Sequence, residues 1–187
     1  MTLIVAATGC GAYSYAGSAI TRTSAVKAPT GHPIDGGDVS TNVYSLDIGV
    51  VKYFGPFFVD GGAWSAGDFL SVRDADGMAV TREGHPASVL YIGGGFRFHD
   101  HRRTFGALYV RGGINVLGGN NSTNRMYEAG FEFCPTQTGR KVKLNWCGRL
   151  GLLVQSGIPI PDGIDPVGEY TSFGPAASFG VRWEGPR

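Results

Sequence analysis

Leu108-Tyr-Val-Arg-Gly-Gly-Ile-Asn-Val116 decides the fold. Read with period two, it sets Leu108, Val110, Gly112, Ile114 and Val116 on one face and Tyr109, Arg111, Gly113 and Asn115 on the other. One face is apolar; the other mixes glycine with polar and charged groups. Downstream, Tyr127, Ala129, Phe131 and Phe133 oppose Glu128, Gly130 and Glu132. Leu144, Trp146, Leu150, Leu152 and Val154 oppose Lys143, Asn145, Arg149 and Gly151. Phe173, Ala177, Phe179, Val181 and Trp183 oppose Ser172, Ser178, Gly180 and Arg182.

Working outward, the same alternation predicts eight strands, near 11–20, 42–53, 57–65, 87–98, 105–117, 126–134, 142–155 and 170–183. Helical periodicity is missing, because Gly or Pro interrupts almost every window of about a dozen residues. The chain has 187 residues with 31 glycines and only 17% charged residues, against an average charged share of about 25%. The glycines have no three-residue period, which excludes collagen, and 42% hydrophobic residues exclude a disordered tail. Sixteen Lys and Arg against fifteen Asp and Glu leave a net charge of +1, so a nucleic-acid footprint is not expected.

A two-faced β chain has two readings. In a soluble barrel the polar face meets water and is dense in Lys and Glu, yet this chain has 4 Lys and 5 Glu. In a transmembrane barrel the apolar face meets lipid and the polar face fills the lumen. The lumen would then hold Asp47, Asp60, Glu128 and Glu132 against Arg97, Arg111, Lys143, Arg149 and Arg182, a nearly self-neutralising plug. Strands of about 9–14 residues suit a tilted bilayer crossing. The connections sort by end: long at 21–41, 66–86 and 156–169, medium at 118–125, short at 54–56, 99–104 and 135–141. Short turns on one side and longer loops on the other are the habit of outer-membrane barrels. An interior as narrow as eight strands enclose leaves no open pore.

Aromatics bunch beside the short turns: Tyr53, Phe54 and Phe57, then Phe98 and Phe105, Phe133 and Trp146, and Trp183, as in an interfacial girdle. With these features the stretch 11–183 resembles the small eight-stranded outer-membrane barrels, typified by the transmembrane domain of OmpA. The resemblance implies an all-β, antiparallel up-and-down barrel of transmembrane type in a bacterial outer membrane. Members of that family end on an aromatic in the last strand; Phe179-Gly-Val-Arg-Trp183 is similar, with Glu184-Gly-Pro-Arg187 following it.

Met1-Thr-Leu-Ile-Val-Ala-Ala-Thr-Gly-Cys10 is apolar and ends in small residues before a cysteine. It resembles the tail of a bacterial lipoprotein signal peptide without its positive n-region, which implies a residual signal segment over 1–10, lipidation at Cys10 and a single barrel domain over 11–187. Cys134 and Cys147 share the inward face, and a tight turn at Arg140-Lys141 sets them opposite each other, so a disulfide is expected in an oxidising periplasm. No zinc spacing is present.

Candidate chemistry is sparse. His32, Asp35 and Asp38, and Asp74, Asp76 and His85, lie in long loops, where a His beside a carboxylate can act as a general base for lipid modification. Polar residues are also the default composition of loops. His99-Asp-His101 with Arg102 and Arg103 reads as a solvated turn, the arginines being placed for anionic lipid headgroups. Asp74-Ala-Asp-Gly77 lacks most calcium-loop ligands and reads as a hairpin turn joining Phe69–Arg73 to Met78–Glu83. No metal, cofactor or phosphate loop is expected.

Three functions fit this reading. The first is a non-enzymatic outer-membrane barrel, with membrane lipid as its surroundings and long loops for adhesion or a protein partner. The second is a lipid-modifying enzyme using His32, His85 and Asp35. The third is a soluble, lipid-anchored periplasmic barrel, lipocalin-like, with an apolar ligand inside.

Overall fold

The structure is a computed structural model that describes residues 10–23, 26–27, 29–30, 37–73, 79–83, 87–101, 104–116, 125–138, 143–162 and 165–184. It contains β1 (Cys10–Thr23), β2 (Val26–Lys27), β3 (Asp38–Phe54), β4 (Phe57–Arg73), β5 (Ala79–Glu83), β6 (Ala87–His101), β7 (Thr104–Asn115), β8 (Arg125–Thr138), β9 (Lys143–Asp162) and β10 (Asp165–Glu184). Every pairing is antiparallel between neighbours, and β1 also pairs with β10, which closes the sheet.

The ten segments make eight staves. β2 continues β1 along β10, since Arg22 pairs with Phe173 and Val26 with Tyr170. β5 continues β6 along β4, since Ala87 pairs with Ala66 and Glu83 with Phe69. In each case the pairing register differs by one residue between the two segments. Following partners round the wall from Gly11 leads through Val51, Asp60, Gly93, Arg111, Glu128, Leu153 and Gly174. The path meets β1 again in register with Thr21, ten residues farther along. Eight strands with that stagger tilt by about 40° and enclose a radius of about 8 Å.

The alternation read from Leu108–Val116 holds round the wall. Tyr109 and Arg111 are buried while Leu108, Val110 and Ile114 are exposed, and Glu128, Glu132, Arg149 and Arg182 are buried while Tyr127, Phe133, Leu150 and Phe179 are exposed. All eight predicted strands are present, and most run longer than expected. The expected long loop at 156–169 is a correction: β9 and β10 extend through it to a connection at 163–164. Ile158-Pro-Ile-Pro161 reads as a loop because proline cannot donate to a ladder, but proline is tolerated where a strand has a free side. Within 66–86, Phe69–Arg73 pair with Ala79–Glu83 as the expected hairpin requires, while its turn at Asp74-Ala-Asp-Gly77 lies outside the described residues. The first long connection shrinks, because β1 runs to Thr23 and β3 starts at Asp38.

Candidate functional site

The bore is filled by side chains from every stave. Among the described residues, five carboxylates (Asp47, Asp60, Glu128, Glu132 and Glu184) and four arginines (Arg97, Arg111, Arg149 and Arg182) are buried. Lys143 shares their parity, but its side chain lies outside the described residues.

The network is layered along the axis. Nearest the short turns, Arg97 Nη2 donates to Glu184 Oε1 at 2.8 Å, and the Tyr53 hydroxyl donates to the same oxygen at 2.9 Å. In the next layer Glu132 accepts from Arg182, from Arg149 Nε at 2.9 Å and from the Tyr15 hydroxyl at 2.9 Å. Asp47 Oδ2 then receives Arg111 and, at 2.9 Å, Arg149. Arg111 also donates from Nε and Nη2 to Glu128 Oε2, at 2.9 and 2.6 Å, and the Tyr109 hydroxyl donates to Glu128 Oε1 at 2.6 Å. Guanidinium groups lie over ring faces as well: Arg149 is 3.8 Å from the Tyr15 centroid and Arg97 is 4.0 Å from that of Tyr53. A last layer is uncharged, with Thr21 donating to Ser172 at 2.9 Å and Thr41 3.4 Å from the Tyr170 hydroxyl.

Each arginine therefore serves charge and packing together. A buried ion pair does not on its own stabilise a fold, because desolvation offsets the attraction. A bore in which Asp47, Glu128, Glu132, Arg111 and Arg149 are each engaged more than once does fix which residue faces which. A void of about 20 Å³ between Trp64, Leu153 and the Asp47–Arg111 pair has room for one or two waters and for nothing larger.

Several inward groups were absent from the sequence expectations. Glu184 was expected to follow the last strand, but it is the final residue of β10, buried and paired with Arg97. Tyr13, Tyr15 and Tyr91 also point inward. Two girdle assignments are corrected, since Phe105 is fully buried and Tyr53 turns its hydroxyl to Glu184. Parity held the answer: Tyr53 is even-spaced from Asp47, and Phe105 from Arg111.

Cys134 and Cys147 form a disulfide on the inward face, both buried. They are not simple cross-strand partners as expected. The register slips between Phe133 and Thr136, so Cys134 and Pro135 together face Cys147 in a bulge. Proline fits there because the extra residue owes no ladder hydrogen bond.

Outside, the wall is apolar. Leu46 (62% exposed), Ile48 (65%), Ile92 (69%), Val110 (63%), Leu150 (65%) and Phe173 (65%) mark its middle. Toward the short turns, Phe54, Phe57, Phe96, Phe98, Phe133, Trp146, Phe179 and Trp183 are exposed. Rings there contact one another, as Phe57 with Phe96 and Trp146 with Phe179. Among the described side chains, the exposed charges Arg22, Lys27, Asp38 and Arg125 all sit at the opposite end of the wall.

His32, Asp35, Asp74, Asp76 and His85 lie outside the described residues, as do the side chains of His99 and His101; Asp38 is exposed at the start of β3. Cys10 opens β1, half-buried and free, in register with Lys52.

No family model matches the chain, and no curated protein sequence matches it. Among solved structures it is similar to the P. putida toluene transporter TodX, at 9% sequence identity and a TM-score of 0.23. The likeness spans 90% of this chain and 54% of that one, so this chain spans about half the length of the transporter it matches. A likeness at that level carries no argument about function.

Proposed function

We propose that the protein is a non-enzymatic barrel of the bacterial outer membrane, plugged inside, that carries a raised rim and its loops for adhesion or a protein partner. One observation carries this reading: the outward face around Leu46, Ile92, Val110 and Leu150 is large, exposed and apolar, with no described charge within it. Water around such a surface would drive aggregation, since soluble monomers rarely expose apolar patches beyond a few hundred Å². Lipid makes the same surface favourable. The aromatic ring of Phe54, Phe57, Phe96, Trp146 and Trp183 supports a membrane–water boundary at the short-turn end. The buried disulfide suits an oxidising compartment. Cys10 stands at that same end of β1, where an attached lipid would enter the near leaflet.

The reading is tested by changing Cys10 to Ser, which removes the lipid anchor, and extracting membranes with alkaline carbonate. The variant is expected to stay in the pellet until detergent is added. Release into the aqueous fraction would discard the membrane barrel and leave a lipid-tethered soluble one.

A further inference from the structure

Three oxygen–oxygen contacts run in series across the bore. Tyr13 Oη lies 2.8 Å from Asp60 Oδ2 and 2.6 Å from Tyr91 Oη, and Tyr91 Oη lies 2.5 Å from Asp47 Oδ1. Oxygens at these separations are held by a proton between them, since facing lone pairs repel. Three contacts need three protons. Each tyrosine hydroxyl has one to give, so two hydroxyls leave one contact unserved. We infer that the third proton sits on Asp60 Oδ2, making Asp60 a buried proton-binding site. Asp60 then donates to Tyr13, Tyr13 to Tyr91, and Tyr91 to Asp47.

The surroundings select Asp60 over Asp47 as the acid. Asp47 Oδ2 receives two arginines, Arg111 and Arg149, which hold it ionised. Asp60 makes no ion pair among the described residues, and its Oδ1 is the one buried carboxylate oxygen there without a hydrogen-bond partner. That oxygen faces the bare Cα of Gly93, where a Cβ would come within 2.5 Å of it. An unpartnered oxygen of a charged carboxylate would be far costlier than the carbonyl of a neutral acid.

The groups facing this chain complete the balance. Tyr13 comes from β1, Asp47 from β3, Tyr91 from β6, Arg111 from β7, Glu128 from β8, Arg149 from β9 and Arg182 from β10. Arg111 is engaged by Asp47 and Glu128, Arg149 by Asp47 and Glu132, and Arg182 by Glu132. Five buried carboxylates against four buried arginines leave one negative charge among the described residues. A proton on Asp60 cancels it.

The test uses the purified full chain in detergent micelles and the infrared carbonyl band of a protonated carboxylic acid. The band is expected in the wild type at neutral pH and absent in Asp60→Asn, with β-sheet circular dichroism unchanged. Tyr91→Phe removes the middle link, so Tyr13 can serve Asp60 with its own proton. Its band is expected to vanish at a pH lower by about one unit or more, a tenfold weaker hold on the proton. A wild type without the band at neutral pH, or a band that persists in Asp60→Asn, overturns the inference. If Asp60→Asn does not fold, a Tyr91→Phe titration identical to the wild type overturns it as well.

Discussion

Gly49 and Gly62 face each other across β3 and β4, and the Tyr13 and Tyr91 hydroxyls lie against them. A Cβ on Gly49 would come within 2.4 Å of the Tyr13 hydroxyl, and one on Gly62 within 2.2 Å of the Ile48 carbonyl. Part of the glycine excess is thus bore volume released for tyrosine rings. Gly62→Ala is expected to cost about 1–3 kcal/mol, read as a lower urea midpoint in detergent. Glu132→Ala strands Arg149, Arg182 and Tyr15 together, and is expected to cost about 3–5 kcal/mol by the same measurement. The alternation made Glu132, Arg149 and Arg182 legible as inward residues. It left Tyr13, Tyr15 and Tyr91 unclaimed and put Tyr53 in the girdle, because an aromatic ring with a polar tip suits either the bore or the girdle. Only parity separates those two places, as Tyr53 illustrates.

At the scale of elements, β9 runs beyond its neighbour. Its pairing with β8 starts at Arg125–Ser156, whereas its pairing with β10 continues to Asp162–Asp165. Residues 157–162 therefore have a side with no strand against it among the described residues, the kind of edge that invites a second chain. Pro159 and Pro161 withhold two backbone donors there. Replacing both with Thr is expected to yield dimers or larger species in cross-linking, with the barrel itself intact. The bridge between Cys134 and Cys147 closes a short segment of β8, turn and β9, and replacing both with Ser is expected to cost about 3 kcal/mol. Strand existence was legible because apolar and polar residues alternate without a break. Strand ends were not, since the same prolines and glycines that punctuate loops are accommodated at bulges and edges.

For the whole molecule, 20-residue staves tilted by about 40° rise about 50 Å, roughly twice the height of a lipid-facing apolar band. The surplus forms a wall on the long-connection side, built from the paired ends of β9 and β10, where the sequence suggested a loop, and from the β4–β5 pairing, which it did suggest. In lipid vesicles Ile92→Arg is expected to cost about 2–4 kcal/mol of folding stability, because it sets a cation in the apolar belt. An unchanged stability would argue that water surrounds this face. The seam between β1 and β10 has a different consequence. It joins Gly11 to Glu184, so the contact that closes the wall spans nearly the entire sequence. Loop entropy must be surrendered before that contact returns anything. Folding should accordingly be slow and all-or-none, with no stable half-barrel awaiting the last strand.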